Sequence, residues 1–232
     1  MAKFYGIGVG PGDPELLTIK AVKVLKNVDV LLLPDSQKGK DTIAYEIAAE
    51  YVSPKAKIIT VEFPMVADET IIDQAGKIAA EVVERHVWEG KNTAFITLGD
   101  PSIYSTYNYI LKHLSPEIEV ETIPGITSFC AAAAQTNRAL VEGDEILSII
   151  PATASKRLME MALDATNSVV FMKVYNQKDK VLDVIEMYDL LDSSILVQKC
   201  GFPDCMVDKD IKKGLSRDKQ YLSIILSRKE LK

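Results

Sequence analysis

Short apolar runs alternate with amphipathic stretches through the first half of the chain. The runs at 3–9, 28–33, 57–61, 93–97 and 119–123 are bounded by Gly, Pro, Asp or Asn and are too short for buried helices. They predict strands. Between them, residues 15–27, 42–51 and 70–88 repeat apolar positions at helical spacing, as does a stretch starting near Ser102. In the third of these, Ile71, Ile72, Ala75, Ile78, Ala79, Val82 and Val83 share one face, and Gly90 is placed to end the helix as its C′ residue. A short polar stretch, 36–41, reads as a mobile loop. Strand and helix in strict alternation predict a mostly parallel sheet covered on both faces.

The pattern changes in the second half. An Ala-rich helix is predicted over 129–136, then strands over 147–150, 168–172, 195–198 and 221–226, helices over 155–165 and 178–191, and an extended ribbon over 206–211. More strands per helix predict a mixed sheet. The expected organisation is therefore α/β in two domains, 1–124 and 125–232, divided at Pro124-Gly125.

Composition narrows the function. A net charge of −6 over 232 residues argues against a general nucleic-acid binder and offers no basic stripe for a membrane surface. No apolar run reaches the roughly 18 residues of a membrane span. The opening MAKFYGIGVGPGD runs straight into a Gly-Pro turn and does not read as a signal peptide, so the cytoplasm is the expected location. Cys130, Cys200 and Cys205 make no disulfide framework, and His86 and His113 both lie in helical stretches. Zinc chemistry and a histidine-based triad are not expected, and no metal site is assigned.

The candidate chemistry sits at strand ends. In 97–107, TLGDPSIYSTY, a strand turns towards a helix through Gly99, Asp100 and Pro101. Ligands of open α/β sheets bind beyond the carboxyl ends of strands, and Gly99 permits close approach. The equally weighted alternative is an Asp-Pro turn in which Asp100 caps the helix near Ser102. The first loop, Gly10-Pro11-Gly12-Asp13-Pro14, fails the dinucleotide spacing, since counting GxGxxG lands on Pro11 or Asp13. Its prolines remove amides that a phosphate cradle needs, which points to a ligand other than a pyrophosphate, or to a rigid turn capped by Asp13. Thr127 and Ser128 stand where the Ala-rich helix begins and can cap it or bind a ligand. Small-residue loops recur at Phe171 to Lys173 and Lys199 to Gly201, a pattern suited to one medium-sized ligand held largely by backbone groups.

Three segments in register, GVGPGDPELLT, LGDPSIYSTY and PGITSFCAAA, resemble the tetrapyrrole (corrin/porphyrin) methyltransferases over essentially the whole chain, and within them most closely the enzymes that methylate carbon 20 of precorrin-2 or cobalt-factor II in cobalamin synthesis. The resemblance implies the two-domain tetrapyrrole methylase fold, with S-adenosylmethionine in the cleft between domains, and a homodimer. It implies cofactor contacts at Pro11, Leu98, Gly99, Asp100, Ile103, Thr127, Ser128 and Met172, with looser matches at Cys200, Gly201 and Ser223. Where the siroheme branch places a basic Asp, this chain has Pro34, with Asp35 one step on, so Asp35 is not assigned as a base. Tyr104 is the candidate polar group near methyl transfer, against a reading as a core-packing aromatic. The implied substrate is a polycarboxylated macrocycle, for which Arg138, Lys156, Arg157, Lys173 and Lys178 are candidate cations, each also readable as a solvated surface charge. Methylation of another ring carbon, or carriage of a tetrapyrrole or nucleoside without turnover, are the competing functions.

Overall fold

The computed structural model describes residues 1–35, 42–64, 66, 68–217 and 221–229, so the loop read at 36–41 lies outside the described residues. The chain divides into two compact units, Met1–Thr127 and Ser128–Lys232. The segment Pro124 to Thr127 thus groups with the first unit, and the amide of Gly125 is bonded to the Asp100 carboxylate there.

The first unit alternates as its pattern predicts: β1 Phe4–Gly8, α1 Ile19–Leu25, β2 Val30–Asp35, α2 Ile43–Ala48, β3 Lys57–Glu62, α3 Glu69–Trp88, β4 Thr93–Thr97, α4 Tyr107–His113 and β5 Val120–Ile123. All five strands are parallel, in the order β3-β2-β4-β1-β5. Pro34 is tolerated inside β2 because β4 pairs with that strand only as far as Leu32, so the missing amide faces no β4 acceptor. The core on one sheet face joins Phe4, Leu32, Val61 and Phe95 to Ala79, Ala80 and Val83 of α3 and Tyr107 and Ile110 of α4. Gly76 lets α3 approach the backbone of Tyr109 so closely that any side chain there would collide with it.

Two helix boundaries differ from the pattern. The helix expected over 15–27 is broken: a single 3-10 turn, Pro14–Leu16, is capped by Asp13, and Leu17 is extended. The hydroxyl of Thr18 then accepts the amide of Ala21 and starts α1. The helix expected from Ser102 starts instead at Tyr107. Tyr104, at φ 50°, is in the left-handed region and cannot continue a right-handed helix.

The second unit contains α5 Ser128–Gln135, β6 Leu147–Pro151, α6 Lys156–Ala165, β7 Ser168–Met172, α7 Lys178–Met187, β8 Ser194–Gln198, β9 Met206–Asp208, α8 Ile211–Ser216 and β10 Ser223–Arg228. Its sheet is mixed, in the order β6-β7-β10-β8-β9, with β10 antiparallel to both neighbours. Met159, Leu163, Val181, Val184, Ile185 and Ile211 pack against Phe171, Leu196 and Ile225. The ribbon expected over 206–211 stops at Asp208. Asp210 accepts the amide of Lys213 and opens α8, whose six residues are too short for helical periodicity to be seen. α7 ends earlier than expected, at Met187, and Asp189 just beyond it has φ 54°.

Candidate functional site

In the order β4-β1-β5, three strands present their carboxyl ends side by side. β1 lies where the strand order reverses, the position at which α/β sheets bind ligands. The loops leaving these strands are packed backbone on backbone. A methyl group at Gly125 would lie 2.1 Å from the carbonyl oxygen of Gly99, and one at Gly8 would lie 2.5 Å from the same oxygen. Only hydrogen fits at these two positions.

The first and second loops are joined by a pair of main-chain bonds. The Gly10 amide donates to the Gly99 carbonyl at 3.2 Å, and the Gly99 amide donates to the Gly10 carbonyl at 2.8 Å. Both glycines have positive φ, 80° and 70°. The Gly99 polar groups are therefore already engaged with Gly10, and the expected reading of a ligand edge shifts to Leu98. Gly99 contributes space instead: a side chain there would meet nothing within 4 Å.

Asp100 is used twice. One carboxylate oxygen accepts the Ser102 amide at 2.8 Å and also the Ser102 hydroxyl; the other accepts the Gly125 amide at 2.9 Å. The turn reading of Asp100 is correct in kind, but the turn is local and does not start α4. Burial raises the Asp100 pKa and these hydrogen bonds lower it, and their net effect leaves it below the ordinary carboxylate value, so the group is an anion at neutral pH. The far end of the loop is pinned by a buried pair the sequence did not point to: the Ser105 hydroxyl donates to that of Thr97 at 2.9 Å and accepts the Tyr107 amide at 3.2 Å. Ser105 two residues before the first helical residue was the available signal. Between these fixed ends, Leu98 and Ile103 are half-buried and Tyr104 is 45% exposed. Tyr104 is thus not a core-packing aromatic. A non-glycine residue in this backbone region costs about 1–2 kcal/mol.

Thr127 immediately precedes α5, where a hydroxyl ordinarily accepts an amide of the first turn. Here it does not: the Thr127 hydroxyl oxygen is buried and has no hydrogen-bond partner among the described residues. The capping expectation at Thr127 is corrected, and an unsatisfied polar group is left in its place. Pro11, by contrast, is buried, and Asp13 accepts the Glu15 amide at 2.9 Å.

In the second unit, Met172 ends β7 and is followed by Lys173 at φ 59°. Lys199 and Gly201, at φ 51° and 85°, flank Cys200 beyond β8. Left-handed residues thus follow β7 and β8 as they follow β1 and β4. Cys200 is 7% exposed, and burial pushes its thiol up to about 11, which removes it as a nucleophile. Ser223, the first residue of β10, accepts the side-chain amide of Gln198 at 3.2 Å. Cys130 is exposed on α5.

The candidate cations are not equivalent. Arg138 donates to the Ser193 carbonyl at 2.5 Å, and burial together with nearby Arg228 lowers its pKa. Lys178 donates to the Leu215 carbonyl at 3.1 Å. Both are engaged in holding their own unit together. Lys156 and Arg157 occupy the first turn of α6, half-buried and exposed respectively. Lys173 is exposed, and partial desolvation by the surrounding chain sets its pKa below the ordinary lysine value. Among the described residues no group of three or more His, Cys, Asp or Glu is placed to hold a metal ion, and no helix is long and apolar enough to cross a membrane.

Known proteins resemble this chain in sequence and in fold. Residues 3–208 match the family described as Tetrapyrrole (Corrin/Porphyrin) Methylases. A probable cobalt-precorrin-2 C(20)-methyltransferase of Methanocaldococcus jannaschii is 42% identical over 204 residues, 87% of this chain and 84% of the relative. The cobalt-precorrin-2 C(20)-methyltransferase of Salmonella typhimurium is 31% identical over 201 residues, 87% and 85% of the two chains. The solved structure of a cobalt precorrin-4 methyltransferase superposes with a TM-score of 0.74 at 23% identity, covering 97% of this chain and 94% of that one. A uroporphyrin-III C-methyltransferase from Thermus thermophilus, solved with S-adenosyl homocysteine, superposes at 0.67 with 18% identity, covering 97% of each chain.

Proposed function

Because this chain belongs to the tetrapyrrole (corrin/porphyrin) methylases, we propose that it is an S-adenosylmethionine-dependent C-methyltransferase of cobalamin biosynthesis that methylates carbon 20 of precorrin-2 or its cobalt complex. The observation that carries the cofactor reading is the Thr127 hydroxyl, buried and without a partner among the described residues, two residues beyond the Gly125 that packs against Gly99. A buried polar group without a partner is costly, and a bound polar ligand satisfies it.

Bound there, S-adenosylmethionine supplies an electrophilic methyl group on a positively charged sulfur. The chain's part is to bind and orient. Thr127 and Ser128 hydrogen-bond the cofactor's polar groups, as do the backbone groups of Leu98. Ile103 and Met172 cover its apolar surface, and Pro11 backs the first loop. Asp100 belongs to the same proposed set through its own loop, whose shape its carboxylate holds. Cys200, Gly201 and Ser223 belong to the same proposed set in the second unit. Fixing an acceptor carbon in line with the methyl can lower the barrier by up to roughly 7–11 kcal/mol through orientation alone. Tyr104, held exposed by a strained backbone, is the proposed polar group near transfer. Lys156, Arg157 and Lys173 are the proposed partners of the substrate's carboxylates; Arg138 is the weaker candidate because Ser193 already engages it. A cytoplasmic homodimer completes the reading, on the strength of the resemblance.

The test is direct. The protein is supplied with S-adenosylmethionine carrying a carbon-13 methyl and with either precorrin-2 or its cobalt complex, and the product is read by carbon NMR. One labelled methyl at carbon 20 is expected. A methyl at another carbon changes the assignment within the family, and binding without turnover makes the chain a carrier. In the same assay Tyr104→Phe should lower kcat while leaving the affinity for S-adenosylhomocysteine unchanged.

A further inference from the structure

Resting on the cofactor reading above, we propose that the Asp100 carboxylate is a positioning group: it acts on the loop 124–127, fixing Gly125 and through it Thr127, rather than on the cofactor itself. Both of its oxygens are committed inside the protein. One holds the amide and hydroxyl of Ser102 and so shapes its own loop; the other accepts the Gly125 amide at 2.9 Å and so reaches across to the chain leaving β5.

β4 and β5 are not neighbours in the sheet; β1 lies between them. Their loops nonetheless touch, because the Gly99 carbonyl packs against Gly8 and Gly125 with no side chain in the layer. Glycine contacts of this kind allow close approach but supply no direction. On the β1 side, direction comes from the paired Gly10 and Gly99 main-chain bonds. On the β5 side it comes from Asp100, through a bond that a charged acceptor makes short and directional. Two residues after the clamped amide stands Thr127, whose buried hydroxyl has no partner among the described residues to fix it. A hydroxyl that must meet a ligand with no partner of its own depends on the backbone that carries it. Asp100 is therefore the group that sets where Thr127 stands.

The experiment is a double-mutant cycle read by calorimetric titration of S-adenosylhomocysteine into the intact chain. Asp100→Asn keeps the shape, but its amide can serve Ser102 or Gly125 as an acceptor and not both. Loss of a hydrogen bond to a charged group should weaken binding roughly ten- to hundredfold, and Thr127→Val should weaken it roughly tenfold. If Asp100 acts through Thr127, the double variant binds within about twofold of Asp100→Asn alone. Losses that multiply overturn the proposal, because they show Asp100 and Thr127 acting independently. A wild-type protein that binds no S-adenosylhomocysteine overturns the cofactor reading itself, which is a different result. Should Asp100→Asn fail to fold, the wild type still decides the clamp: the Gly125 amide proton is expected to move upfield in NMR spectra as acid protonates Asp100. A Gly125 amide that ignores this titration overturns the proposal.

Discussion

The ring of Tyr107 lies directly against the α-carbon of Gly6. A methyl group at Gly6 would sit 2.2 Å from the ring's Cζ and 2.6 Å from its hydroxyl oxygen. The ring cannot swing aside, since it is 1% exposed, packs against Phe4 and Phe95, and shares a 2.7 Å hydrogen bond with the Thr122 hydroxyl. Gly6→Ala should therefore destabilise the first unit by at least about 1–3 kcal/mol, the usual range for overpacking a rigid core. Urea unfolding measures it. Gly90→Ala provides the contrast: a methyl there meets nothing within 4 Å, and its cost comes from the positive φ of 79° alone, about 1 kcal/mol.

Much of this fold was legible as pattern. The strands of the first unit were visible because each is a short apolar run closed by a turn residue, and the parallel sheet followed from their alternation with helices. What escaped was local. The break at Leu17 depends on one threonine competing for a helix start, and the late start of α4 depends on the left-handed Tyr104. Periodicity cannot see a single dihedral angle. The six residues of α8 are fewer than two full turns. At the site, the loops and Asp100 stood out from their composition. The use of the Asp100 carboxylate by Gly125 did not, because it joins residues 25 apart whose proximity is a property of strand order. The motifs that resemble the family drew attention to these loops, and the sheet determines which of them touch.

The thiols offer a second test. Cys200 is buried with a pKa of about 11, whereas Cys130 is exposed on α5. The thiolate is the reactive form. Iodoacetamide at pH 8 should label Cys130 in the folded protein and leave Cys200 unmodified until urea is added, as read by peptide mass spectrometry. Labelling of native Cys200 at a rate matching Cys130 would contradict its burial.

Acid should weaken the second unit through Glu145. Its carboxylate accepts the Arg228 guanidinium at 2.8 and 2.9 Å and the Glu142 amide at 2.8 Å, and the Arg228 bond in particular lowers its pKa from 4.5. Because the folded value lies below the unfolded one, the stabilisation is present above about pH 4.5 and is lost as the pH falls through the folded pKa. Glu142 shares the same guanidinium, and Arg138 lies close enough to repel it. Thermal scans from about pH 7 to 3 should show Glu145→Gln less stable than wild type at neutrality, with the gap closing in acid. A gap that stays constant with pH would mean that the charge on Glu145 is not what holds Arg228.

The sharpest prediction sets stability against binding at Thr127. Its hydroxyl is buried and has no hydrogen-bond partner among the described residues. Valine has nearly the same shape and lacks the hydroxyl, so Thr127→Val removes a desolvated polar group without opening a cavity. The free protein should keep its stability or gain up to about 1 kcal/mol. Binding should move the other way. If the hydroxyl meets the cofactor, its loss leaves a ligand group unpaired in a buried place and should weaken S-adenosylhomocysteine roughly tenfold. Opposite signs in the two measurements are the mark of a residue kept for function at some cost to the fold, since a purely structural threonine would lose stability rather than gain it. Thermal unfolding without ligand and calorimetric titration with it, on the same two proteins, decide the matter. A Thr127→Val variant that is less stable and binds normally would make the hydroxyl a structural group.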